Sequence, residues 1–85
     1  MKLRVLYFAA LRERVGRGDE TINAPDGINS VAQLREWLTQ RGEPWREAFA
    51  DTRRVRVAVD QAMAEDWQML HDGAEVAFFP PVTGG

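Results

Sequence analysis

Glu75-Val76-Ala77-Phe78-Phe79-Pro80-Pro81-Val82-Thr83-Gly84-Gly85 begins as an apolar strand and ends in two residues without side chains. Pro80 and Pro81 have no backbone N–H and cannot sit inside a sheet ladder. Gly84 and Gly85 offer nothing to pack and keep high backbone freedom. A core strand is therefore followed by a tail expected to leave the body. Pro-Pro favours an extended polyproline conformation that holds the chain end away from the domain. Extended, the six residues 80–85 span roughly 20 Å, enough to enter a deep pocket on another protein. The expected organisation is a domain over residues 1–79 and a tail over residues 80–85.

Upstream of the tail, 85 residues make one domain with a modest core. Apolar residues are 45% of the chain, which argues against disorder. The net charge is −2 with both signs interspersed, so nothing predicts a nucleic-acid surface. Arg53, Arg54 and Arg56 form the one basic cluster, read as a solvated strand edge. With no cysteine, disulfides, thiolate zinc sites and a cysteine nucleophile are excluded. His71 and Ser30 are the only histidine and serine, so a multi-histidine metal site is excluded too. The apolar run near the N-terminus is short and leads into Arg12-Glu13-Arg14; it reads as a strand, not a signal peptide. No segment approaches membrane-spanning length, and the cytoplasm is the expected location.

The alternation of residues 2–9 predicts a first strand, with Leu3, Val5 and Tyr7 on one face and Arg4, Leu6 and Phe8 on the other. Residues 10–15 predict a short helical turn closed by Gly16, and residues 19–24 a second strand at an edge. Ser30 and Gln33 have capping-box spacing at the start of a helix with Val31, Leu34 and Leu38 in its stripe. That helix should end near Arg41 and Gly42. Pro44 opens a second, short helix in which Trp45 and Phe49 share a face. Residues 54–60 are the clearest strand, with Val55, Val57 and Val59 on one face. Met63, Trp67 and Leu70 are expected to cover one end of the core. His71-Asp72-Gly73 is a turn in which the histidine faces solvent.

Strand, strand, helix, strand, small elements, strand predicts an α+β fold: a mixed sheet with one main helix on one face. The other face would carry Arg4, Leu6, Phe8, Arg56, Ala58, Ala77 and Phe79, too many of them apolar for a plainly solvated surface. Phe8, Met63 and Phe79 are the candidate partner-docking patch beside the root of the tail, with loops covering them as the alternative.

Val5-Leu6-Tyr7-Phe8-Ala9, Leu11-Arg12-Glu13 and Val15-Gly16 resemble the opening of the MoaD-type sulfur carriers, the small subunits of molybdopterin synthase. Val59-Asp60-Gln61 and residues 70–76 are similar to that family's later landmarks, and residues 77–85 match its ending. Asp60 stands where the family often has Asn, and Ala74 where it often has Asp. The resemblance implies a ubiquitin-like β-grasp fold. It also implies that the chain is not an enzyme on its own but the sulfur-donating subunit of a heterotetramer. An adenylyltransferase resembling ubiquitin-activating enzymes would use ATP, with magnesium, to adenylate the Gly85 carboxylate. A sulfur donor protein would then leave a thiocarboxylate there. The tail, Pro80, Pro81, Val82, Thr83 and Gly84, would deliver Gly85 into the large subunit. Sulfur would pass to cyclic pyranopterin monophosphate, forming molybdopterin in molybdenum cofactor biosynthesis. The chain itself would bind no cofactor or metal, nucleic acid or membrane.

An α-carboxylate, with a pKa of about 3.3–3.7, is ionised at neutral pH and a poor electrophile until adenylated. Three rivals remain at the level of sequence: a carrier for thiazole or tRNA thiolation, a ubiquitin-like protein modifier, and an interaction module using its Pro-Pro segment.

Overall fold

The computed structural model describes residues 1–51 and 54–81. Its elements are β1 (Lys2–Tyr7), α1 (Ala9–Val15), β2 (Asp19–Asn23), α2 (Val31–Thr39), α3 (Trp45–Ala48), β3 (Arg56–Val59), β4 (Ala62–Met63) and β5 (Glu75–Phe79). They form the mixed β-grasp sheet, ordered β2-β1-β5-β3-β4. β5 runs parallel to β1 and antiparallel to β3; β2 and β4 are antiparallel edges. The strand expected over residues 54–60 is shorter, because Asp60 and Gln61 turn the chain into β4. Both hold left-handed φ angles, 50° and 70°, as a two-residue hairpin requires.

Alternation sorts each strand into a buried and an open face. Leu3, Val5, Tyr7, Val57, Val59, Val76 and Phe78 are buried on the helix side. Val31, Leu34 and Leu38 of α2 cover them, joined by Leu11 and Val15 of α1 and by Phe49 after α3. Rings of Phe49 and Phe78 meet edge-on at 5.0 Å, and Tyr7 lies 6.4 and 6.5 Å from them. Gly16, at φ 80°, closes α1 in the left-handed conformation, its N–H bonded to Arg12 O.

Helix α2 starts where the capping box places it. Ser30 Oγ accepts from Gln33 N at 3.3 Å, and Gln33 Oε1 accepts from Ser30 N at 3.1 Å. Such a cap contributes about 1 kcal/mol. The first free N–H groups of α2 also reach outward: Val31 N donates to Gln68 O and Ala32 N to Asp66 O. These backbone bonds hold the loop after β4, and Leu70 from that loop covers the core as expected. Met63 and Trp67 do not: Met63 lies in β4, paired with Ala58 and 59% exposed, and Trp67 in the loop is 75% exposed. Arg35 is the reverse case, a buried cation inside the α2 stripe. Its Nε lies 2.9 Å from Asp66 Oδ1, and its guanidinium sits 5.6 Å from the Phe78 ring.

A polar knot ties β1, β2 and the end of α2 together. Tyr7 OH donates to Glu20 Oε2 at 2.7 Å and accepts from Trp45 Nε1 at 3.2 Å. Arg41 binds Glu20 through both terminal nitrogens at 3.0 Å and covers the Trp45 ring at 4.1 Å. Burial, aided by the Glu20 bond, pushes the Tyr7 phenol up. Burial opposes ionisation of Glu20, but the bonds from Arg41 and Tyr7 outweigh it and hold its carboxyl below the usual range.

His71 is exposed as expected, yet it is not idle. Its Nε2 lies 2.6 Å from Asp60 Oδ2 and its Nδ1 2.9 Å from Asp72 O. Two acceptors facing two ring nitrogens favour the imidazolium. The Asp60 bond, then the Asp72 carbonyl, raises the His71 pKa. Asp60 also accepts from Glu75 N, which with His71 lowers its own pKa. This clasp fixes the β3–β4 turn against the start of β5. Its His71 contribution is complete below about pH 6.5, the unfolded value, and is lost as pH rises through the raised folded value. The melting temperature should therefore fall over that upward pH interval, and His71→Gln should flatten the dependence. An identical pH profile in the variant would show that the clasp contributes nothing.

Candidate docking face and tail root

The open face of the sheet gathers side chains from every strand but has no helix over it. Cross-strand register aligns Asp19, Leu6, Ala77, Ala58 and Met63 in one row. Residues directly opposite share a face, so four of the five form an apolar band. Leu6, Ala58 and Ala77 are half-buried by neighbouring side chains, and Met63 stands out at the β4 edge.

The next position along the strands, nearer the tail, carries Phe79 opposite Arg56. Phe8 follows β1 at the same end, 47% exposed, with its N–H bonded to Phe78 O. Ala9 then takes a left-handed φ of 53°, turning the chain sharply into α1. Phe8 and Phe79 thus stand together where β1 and β5 end, with Met63 at the far side of the band. The structure places all three on or beside the open face. Alternation separates the two faces; it does not reveal the register that makes Leu6, Ala77 and Ala58 bridge from β1 to Met63.

Pro80 and Pro81 are half-buried and not detached from the body. They line a cleft of about 500 Å³ with Ala10, Leu11 and Arg14 of α1, Ala48 of α3, and Val55. Val82, Thr83, Gly84 and Gly85, the remaining candidate tail residues, lie outside the described residues, as does Arg53.

The one serine and the one histidine are occupied elsewhere. Ser30 Oγ caps α2, and the His71 ring is held by Asp60 and the Asp72 carbonyl. Among the described residues no group of three or more His, Asp or Glu could hold a metal ion. The arrangement offers an apolar surface beside the end of β5.

Three comparisons with known proteins fit this geometry. The molybdopterin synthase sulfur carrier subunit of Escherichia coli is 42% identical over 83 residues, covering 98% of this chain and 99% of the relative. Subunit 1 of a molybdopterin converting factor from Pyrococcus furiosus superposes with a TM-score of 0.77 at 32% identity, covering 96% of this chain and 99% of that one. The fold also recurs, at a TM-score of 0.70 and 24% identity over the full length of both chains, in a complex of subunits 1 and 2 of the Helicobacter pylori molybdopterin-converting factor. The ThiS family profile matches residues 5–85, so the chain belongs to the ThiS family.

Proposed function

We propose that this chain is the sulfur-carrier subunit of a molybdopterin synthase and that the Gly85 carboxylate is its working group. The observation that carries the reading is full-length similarity, at 42% identity, to a protein of that name. The geometry supports it: an uncovered apolar sheet face adjoins the root of a chain ending in Thr83-Gly84-Gly85.

The chemistry follows from what a carboxylate lacks. It is a resonance-stabilised anion and resists nucleophilic attack. A ubiquitin-activating-like adenylyltransferase, using ATP with magnesium, would convert it to an acyl-adenylate and release pyrophosphate. Sulfur delivered by a donor protein at the sulfide level would then attack the acyl carbon, forming the C–S bond as the C–O bond to AMP breaks. The resulting thiocarboxylate bears a nucleophilic sulfur. Docked on the large subunit, its sulfur would form a C–S bond to cyclic pyranopterin monophosphate, and water would then cleave the acyl C–S bond, leaving the sulfur on the substrate and returning Gly85 to a carboxylate. The carrier's own contribution is proximity: the body docks through the Phe8, Met63 and Phe79 side, and the tail brings the reacting atom into the partner's pocket. Glycine at both final positions suits a channel too narrow for side chains. The large subunit has a counterpart in the two-subunit Helicobacter pylori complex. We place the chain in the cytoplasm, in a heterotetramer of two carriers on a dimeric large subunit. No helix among the described residues is long and apolar enough to cross a membrane.

Deleting Gly85 should leave the melting temperature unchanged and abolish sulfur transfer in a reconstituted synthase assay; molybdopterin formed at the wild-type rate by the shortened chain would refute the carrier reading. Phe79→Ala should weaken binding to the large subunit by about 1.5 kcal/mol, because only the part of the ring still exposed is left to bury. Titration calorimetry reads this directly, and an unchanged dissociation constant in a folded variant removes Phe79 from the interface.

A further inference from the structure

The open face contains one feature that an apolar docking patch does not explain. Arg56 projects on that face, directly opposite Phe79 and therefore at the tail end. It is exposed, and among the described residues its guanidinium has no hydrogen bond, ion pair or ring contact. Other charged groups of the sheet lie farther along the strands or in the adjoining cleft. Arg4 is paired with Asp19 at 2.9 Å, and Asp60 is held by His71. Asp66, which lines a cleft together with Arg56, pairs with Arg35; Glu65 lines the same cleft without bonding to Arg56. Lys2 lies at the other end of β1, away from the tail.

A solvated arginine on a free surface needs no partner. Its situation changes once the face is covered. A partner lying on Phe79 also approaches Arg56, and a guanidinium taken out of water without a counter-charge is costly. Arginine tolerates interfaces because its planar fork binds carboxylates through two parallel hydrogen bonds.

We propose that Arg56 is a specificity-determining contact of the docking face and that the partner presents a carboxylate, from Asp or Glu, to it beside the pocket that receives the tail. This rests on the sulfur-carrier reading, with the synthase large subunit as the occupant. The pair would fix the rotation of the carrier about its docked face, since the apolar band is non-directional and Arg56 lies to one side of it. It would also accelerate encounter, because complementary charge acts mainly on association rate and orientation.

The test measures the affinity and association rate of the full-length carrier for the synthase large subunit at low and high salt. Wild type is compared with Arg56→Ala, Arg56→Glu and Phe79→Ala. Arg56 is exposed, so its variants should fold, which circular dichroism checks. The proposal expects Arg56→Ala to bind about tenfold more weakly at low salt. The deficit should shrink as salt rises, with a shallower salt dependence than wild type. Arg56→Glu should bind about tenfold more weakly again. If Arg56→Ala and Arg56→Glu bind like wild type while Phe79→Ala weakens binding, the docking face stands and the carboxylate contact is overturned. If neither Arg56 variant nor Phe79→Ala changes binding, the docking reading fails and the proposal falls with it.

Discussion

The structure depends on the central position of β5. Hydrogen-bonded to β1 on one side and β3 on the other, it is the strand through which the two halves of the sheet meet. Val76 and Phe78 are fully buried, and Phe78 joins Tyr7 and Phe49 in the aromatic centre of the core. Burying a side chain of that size contributes on the order of 2–3 kcal/mol. A strand held on both edges and through its buried face cannot shift by one residue without moving Phe78 to the open side. The same constraint fixes where Phe79 and Pro80 stand, and so where the tail begins.

Around that strand, the two faces of the sheet divide the work. The helix side spends its side chains on stability: α2 is fixed by its capping box, and the Tyr7–Glu20–Arg41–Trp45 knot closes the seam between β1, β2 and the helices. The open side keeps a continuous apolar band and adjoins Phe8 and the proline pair. Because the knot engages Tyr7, one residue before Phe8, stability on one face helps to hold the contact surface of the other. A carrier needs this combination: a body that does not rearrange and an end that another protein can modify.

Much of this is legible in the sequence, for identifiable reasons. The alternations in residues 2–9 and 75–79 separate the two faces because a strand has a period of two. Ser30 and Gln33 announce the helix start because their spacing lets each satisfy the other's backbone donor. Features built from distant residues are not legible. Glu20 gives no local sign that it will meet Tyr7 and Arg41. Met63 and Trp67 look like core because they are apolar, yet Met63 stands at the β4 edge of the open face and Trp67 lies in a loop held by backbone bonds to the first turn of α2, and both stay exposed. Pro80 and Pro81 suggest departure from the body, and only the packing of α1 and α3 shows the cleft they help to line. The open face can be listed residue by residue from alternation, but the row that joins Leu6 to Met63 requires the register.

The central claim is that this fold presents its last residue for sulfur chemistry, and the mass of that residue's peptide tests it most directly. The carrier would be incubated with ATP, magnesium, its adenylyltransferase and a sulfur donor, then cleaved after Glu75. Residues 76–85 contain no methionine, so oxidation of Met63 or Met69 cannot mimic the exchange of oxygen for sulfur. The account predicts a peptide in which one terminal oxygen is replaced by sulfur, dependent on ATP. A peptide that keeps its carboxylate under those conditions, with the adenylyltransferase active on a known carrier, would contradict it.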